Sequence, residues 1–93
     1  MSEDFINSVV ELEEKHLIAI MLFLSINRSC RKIDIYDNVS SNPRIPDKLN
    51  KLEKMGLITQ TVQSGARSVI ISLTERGGVV ADRLVELDKL VKS

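Results

Sequence analysis

A short polar turn between two amphipathic stretches constrains this chain more than any other feature. The turn reads Ser40-Ser41-Asn42-Pro43. Small hydroxyl residues and Asn followed by Pro are typical of a turn that leads into a helix. This predicts Ser41 or Asn42 as the N-cap and Pro43 at the first helical position.

Helices are predicted on both sides of the turn. Residues 32–39 form a short helix, and residues 43–55 form a second one that ends at Gly56, a residue favoured at helix C-termini. Two helices joined by a tight turn make a helix-turn-helix. The second helix has one apolar stripe, spaced four, three and three, made of Ile45, Leu49, Leu52 and Met55.

The rest of the chain completes an α+β, mainly α fold. Residues 13–27 predict a central helix, because residues 17–26 are apolar nearly all round. Two β-branched stretches, 57–62 and 68–73, flank a loop at 63–67 that contains Gly, which predicts a β-hairpin. A long C-terminal helix follows in 75–93. We expect one domain over 1–93, with a three-helix core and a two-stranded hairpin; residues 2–10 fit either helix or strand.

Composition excludes several function classes. Aromatic residues make up 3% of the 93 residues, too few for the stacking platforms that bind single strands. The one cysteine excludes an intrachain disulfide, and the longest apolar run is too short to span a bilayer. No metal-ligand spacing and no phosphate-binding Gly loop occur, so we expect no enzyme, no metal, no cofactor and no membrane partner, and a cytoplasmic location.

Charge is neutral in sum but uneven along the chain. The formal net charge is +0, yet residues 1–16 carry five acids and one Lys. Residues 28–54 carry seven basic residues and four acids. A local basic surface inside a neutral protein is therefore expected.

Three strings resemble a known family. "KIDIYDNV", "IPDKLNKLEKMGLI" and "ISLTERG" are similar to the positioning helix, recognition helix and wing of winged helix-turn-helix transcription regulators. The resemblance is to the broad MarR/PadR/ArsR type, especially its small archaeal relatives. It implies a transcription regulator, a repressor, that binds double-stranded DNA with helix 43–55 in the major groove and the wing, 63–67, on the minor groove or backbone.

The polar face of helix 43–55 suits duplex DNA. With the apolar stripe buried, four cations recur opposite it, and Arg44 near the helix start suits a guanine edge. The lysines suit phosphates, whereas Asp47 would repel them, accept from cytosine or pair with Lys51. The predicted DNA-contacting residues are Lys32, Ser41, Asn42, Arg44, Lys48, Lys51, Lys54 and Arg67.

The C-terminal helix carries a heptad-like seam. The resemblance implies a homodimer formed through the N- and C-terminal helices; packing within one monomer, against residues 17–24, is the other interpretation, and a two-sided helix can do both. The expected dimer residues are Phe5, Val9, Val80, Leu84, Leu87 and Val91.

Two alternative functions stay open. The neutral net charge and Asp47 are compatible with a winged-helix protein-interaction module that does not bind DNA. The other alternative is a sequence-independent architectural DNA binder. Cys30 is either a small packed residue between the first two helices or a redox sensor activated by neighbouring cations. No pattern identifies an effector ligand.

Overall fold

The computed structural model describes residues 9–63, 65 and 68–93. Within these ranges the chain forms a 3₁₀ turn, four α-helices and three strands. In chain order they are the 3₁₀ turn (Val9–Glu13), α1 (Leu17–Asn27), β1 (Ser29–Arg31), α2 (Lys32–Asn38), α3 (Ile45–Lys54), β2 (Ile58–Val62), β3 (Val69–Leu73) and α4 (Glu75–Lys92).

Helix α1 occupies the centre, as its nearly continuous apolar sequence predicts. Four of its side chains are buried, and α4 is the element against which it packs most extensively. It begins four residues later than predicted, because the 3₁₀ turn ends at Glu13 and residues 14–16 form a turn in which His16 has a left-handed φ of 75°. The core around α1 is aliphatic and consists, among the described residues, of Leu12, Leu17, Ile20, Met21, Leu24, Ile35, Ile45, Leu49, Leu52, Leu57, Ile58, Ile71 and Ala81.

The predicted helix-turn-helix is confirmed as α2, a turn and α3, but α3 begins at Ile45 rather than Pro43. The carbonyl of Asn42 accepts a hydrogen bond from the amide of Ile45 at 3.0 Å. Pro43 therefore occupies the second position of a β-turn, which its fixed φ favours. The residue that caps α3 is Arg44, so the predicted N-cap at Ser41 or Asn42 is wrong. Gly56 closes the helix end with a φ of 80°, as its position predicts.

The wing hairpin, β2 and β3, belongs to a three-stranded antiparallel sheet of order β1-β3-β2. The additional strand, β1, pairs Cys30 with Ile71. The sequence analysis missed β1 because three residues are too few to display a period-2 pattern. Its pairing joins the end of α1 to the wing and fixes the wing against the helical core.

Helix α4 begins at a side-chain cap. Thr74 Oγ1 accepts a hydrogen bond from the amide of Gly77 at 2.9 Å and donates one to the carbonyl of Gly56 at 2.6 Å. The cap therefore links the start of α4 to the end of α3. None of the helices in the described ranges combines the length and apolarity that a membrane crossing would require.

Candidate nucleic-acid interface

Helix α3 presents a polar surface on the side opposite its buried stripe. Ile45, Leu49 and Leu52 face the core, whereas Asp47 and Lys54 are exposed to solvent. With 3.6 residues per turn, the remaining polar positions fall into two flanks, one beside the wing and one beside the 3₁₀ turn. The two flanks differ in their partners.

The flank beside the wing is tied to β2 by Gln60. The Gln60 side-chain amide donates to Asn50 Oδ1 at 2.9 Å and to Glu53 Oε1 at 3.0 Å. The Gln60 backbone amide also donates to Glu53 Oε2 at 3.2 Å. These bonds fix the orientation of the first wing strand relative to α3. Sequence reasoning missed them, because Gln60 lies in a strand with no charge pattern to mark it.

The other flank is covered by acidic side chains from the segment that contains the 3₁₀ turn, residues 9–14, here called the acidic segment. Lys48 Nζ lies 2.9 Å from Glu14 Oε2, and Lys51 Nζ lies 2.9 Å from Glu14 Oε1. Lys51 Nζ is also 3.0 Å from Glu11 Oε1. Two glutamates thus hold two lysines of α3 in one ion-pair cluster.

The ion pairs in this cluster shift the pKa values of Glu14 and Lys51 in opposite directions. Hydrogen bonds from Lys48 and then Lys51 lower the pKa of Glu14 below its usual value. Hydrogen bonds to Glu14 and then Glu11 raise the pKa of Lys51. Both groups are therefore held in their charged forms at neutral pH.

This arrangement corrects the picture of an uninterrupted exposed cationic face. The Lys48 side chain keeps only 14% of its accessible surface, and Lys51 keeps 30%. The charge imbalance between residues 1–16 and 28–54 was the available signal, since opposite charges in one small domain tend to meet. Sequence reasoning used that imbalance only to predict a basic surface, and so it missed Glu11 and Glu14.

Four of the other six predicted DNA-contacting residues lie in the turn before α3 or at its ends. Ser41, Arg44 and Lys54 are exposed. Asn42 is half-buried, and its Oδ1 accepts a hydrogen bond from the Arg44 amide at 2.8 Å, so this oxygen stabilises the turn. Two further positions complete the set: Lys32 is the half-buried first residue of α2, and Arg67 lies outside the described residues.

The predicted dimer residues on α4 fall into two groups, one packed against the core and one exposed. Val80 and Leu84 are half-buried and pack against the core of their own monomer, as the monomer interpretation predicts. Leu87 and Val91 remain 55% and 76% exposed. Two N-terminal positions complete the set: Val9 is exposed, and Phe5 lies outside the described residues.

Cys30 is not activated by its neighbours. It lies half-buried on β1, the strand between α1 and α2, and packs against the core. Burial, followed by the charge of Asp34, raises the pKa of the thiol to about 11. The expectation that nearby cations lower this pKa, which the redox-sensor interpretation required, is therefore wrong.

The architecture defines a winged helix-turn-helix protein. A helix-turn-helix (α2 and α3) is followed by a hairpin wing (β2 and β3) and packs on a central helix, as the sequence predicted. Among the described residues, no three His, Cys, Asp or Glu side chains gather where they would hold a metal ion.

Solved structures share this fold. The transcriptional regulator homologue from Pyrococcus horikoshii OT3 is 21% identical, with a TM-score of 0.68 over 89% of this chain and 91% of that one. Reduced AbfR bound to DNA is 22% identical, with a TM-score of 0.64 over 84% of this chain and 58% of AbfR. Overoxidized AbfR bound to DNA gives 0.62 at 23% identity, over 84% of this chain and 62% of AbfR. The chain thus spans less than two thirds of AbfR, and these identities bear on the fold alone. No protein-family model and no curated protein sequence matches the chain.

Proposed function

We propose that this protein is a transcription regulator that binds double-stranded DNA through α3. The observation that carries this proposal is the exposed polar surface at both ends of α3, with Arg44 at its start and Lys54 at its end. These residues are about 15 Å apart along a helix that rises 1.5 Å per residue, a span that fits within one major-groove contact. That similar folds have been solved on DNA supports the proposal.

Base and phosphate contacts fall to different residues in this proposal. Arg44 reads a guanine edge, because its planar fork can donate two hydrogen bonds. Lys32 and Lys54 contact phosphates, as do Lys48 and Lys51 once their ammonium groups are free. Arg67 reaches the minor groove or the backbone from the wing, 63–67.

The protein acts as a homodimer in this proposal, and represses transcription from a cytoplasmic pool. A twofold axis would place two α3 helices about 34 Å apart, one turn of DNA, and favour palindromic operators. The exposed apolar end of α4, with Leu87 and Val91, supports a second copy as the partner. We also infer that the protein has no catalytic activity.

Salt-dependent titration of a fluorescent duplex tests the DNA proposal. Log affinity should fall with log salt by about 0.9 per neutralised phosphate, and Lys54→Ala should flatten the slope by about 1 at most. Lys92→Ala is the matched control, since it removes the same charge from the last turn of α4. Lys92 lies about 22 Å along the helix axis from Gly77, which is at the end of α4 that meets α3. Equal behaviour of the two variants would remove Lys54 from the interface.

A protein-interaction module is the second candidate function. The pairing of Lys48 and Lys51 with glutamates favours it, because these lysines are already neutralised without DNA. If the wild type binds no duplex even at low salt, this candidate takes precedence. A random duplex in competition with genomic fragments would separate a specific regulator from an architectural binder.

A further inference from the structure

The acidic segment lies against the flank of α3 that carries Lys48 and Lys51. Glu14 spans two lysines that lie three residues apart on one helix flank, with one carboxylate oxygen 2.9 Å from each ammonium. Glu11 adds a second carboxylate on Lys51 at 3.0 Å. An anion bridging two cations one turn apart resembles a backbone phosphate in charge and in contact distance.

We propose that the acidic segment is an autoinhibitory strap, which must release Lys48 and Lys51 before α3 makes its full set of phosphate contacts. This inference rests on the proposed DNA binding. The strap occupies the recognition helix of the free protein and competes with DNA for the same ammonium groups. It therefore lowers duplex affinity, because the ion pairs with Glu11 and Glu14 must break before the two lysines reach phosphates.

The ion pairs of the strap can open without the segment leaving the core. The glutamate side chains in the cluster keep 25% and 35% of their accessible surface, so water and ions reach the pairs. Ion pairs of this kind are weak and are screened by salt. Leu12 of the same segment is 4% exposed and packs in the core, so the backbone of the segment stays in place while the glutamate side chains release the lysines.

A residue with a left-handed backbone conformation follows the acidic segment. His16 joins the segment to α1 and adopts a φ of 75°, a left-handed conformation that only glycine adopts without cost. Such a conformation persists only while the surrounding contacts hold it, and the His16 carbonyl accepts a hydrogen bond from the Ile20 amide at 2.9 Å. In this proposal the glutamate side chains swing away from the lysines, and the first turn of α1 stays formed.

The structural alternative is that Glu11 and Glu14 only brace α3. The two roles make opposite predictions for DNA. A brace, when removed, loosens α3 and leaves duplex affinity unchanged or weaker. A strap, when removed, frees two cations and strengthens duplex affinity.

The test compares Glu14→Gln with Glu13→Gln in the duplex titration. Both variants remove one negative charge from neighbouring positions, but Glu13 is exposed, and the described ion pairs of Lys48 and Lys51 are with Glu11 and Glu14. Glu14→Gln should bind on the order of tenfold tighter than Glu13→Gln at about 50 mM salt, with a slope steeper by about 0.9. One lysine accounts for this change, because Lys48 is freed while Glu11 still pairs with Lys51. The advantage should shrink as salt rises.

Each outcome decides between the proposals. If Glu14→Gln and Glu13→Gln bind duplex equally, the strap is wrong while DNA binding stands. If neither variant nor the wild type binds, DNA binding fails and the strap fails with it.

Carboxyl-carbon NMR on the wild type gives a second measurement that needs no variant to fold. Addition of duplex should shift the side-chain carboxyl resonance of Glu14 more than that of Glu13. An unmoved Glu14 resonance in a duplex-saturated sample would overturn the strap.

Discussion

Gly77, in the first turn of α4, lies directly against the backbone of Leu57, so a Cβ at residue 77 would overlap the Leu57 carbonyl oxygen. That carbonyl also accepts a hydrogen bond from the Thr74 amide at 3.0 Å. Through this close approach, the start of α4 packs against the junction between α3 and the wing. A glycine in a helix normally weakens it, and here the contact explains why one is present.

Gly77→Ala should therefore destabilise the protein. Because the neighbouring group is backbone, it cannot move aside, and we expect a loss of about 2 kcal/mol or more in the free energy of unfolding. In a domain of this size that lowers Tm by roughly 8–16 °C. Thermal unfolding followed by circular dichroism measures it.

Gly78→Ala is the matched control for this prediction. A Cβ there would meet only the flexible end of Arg28, at 3.4 Å. Since Ala favours the helix over Gly by up to about 1 kcal/mol, this variant should be neutral or more stable. Equal destabilisation of both variants would show that helix propensity, and not the contact with Leu57, decides the effect.

The Cys30 thiol should react slowly with alkylating reagents. With its pKa raised from 9.0 to about 11, the thiolate fraction at pH 8 is about a hundredfold below that of an ordinary thiol. The stability that burial of the neutral thiol provides is fully present below pH 9 and is lost as pH rises towards 11. Mass spectrometry of alkylation at pH 8, folded against denatured, measures the ratio; equal rates would contradict the burial of Cys30.

The Glu14 carboxyl should titrate below its ordinary pKa of 4.5. Its ion pairs contribute stability above that value, and the contribution is lost as pH falls through the lowered pKa. Lys48→Ala should return the midpoint towards 4.5, because the hydrogen bond from Lys48 is the largest cause of the shift. Lys54→Ala, which removes an exposed charge from the same helix, should leave the midpoint unchanged; carboxyl NMR titration distinguishes the two variants.

The elements of the fold were predictable wherever a local pattern decides them. The spacing of Ile45, Leu49 and Leu52 predicted the buried face of α3, and Gly56 marked its end. The start of α3 was misplaced because Asn42-Pro43 fits a β-turn as well as a helix start, and local sequence does not choose between them.

The surroundings of the site were less predictable, because they depend on pairs distant in sequence. Glu14 meets Lys48 across 34 positions, and no helix or strand period reports such a contact. Strand β1 exists only because β3 lies beside it. A prediction made from the sequence of one helix therefore overestimates how many charged side chains on its polar face stay unpaired in the folded protein.

The division of the C-terminal seam gives a sharper test of the dimer than the sequence did. Leu84 packs against its own core, so an acidic residue there would unfold the monomer as readily as it would break a dimer. Leu87→Glu with Val91→Glu changes only side chains that are 55% and 76% exposed, and should leave thermal unfolding of the monomer nearly unchanged.

Light scattering should show a dimer for the wild type and a monomer for Leu87→Glu with Val91→Glu, since burying two carboxylates against a second copy is costly. The control is Ile33→Glu, an apolar-to-acid change on α2, where the side chain is 52% exposed. It should keep the dimer mass. A wild type that is already monomeric at high concentration would refute the seam, and a dimer that survives both α4 substitutions would place the interface elsewhere.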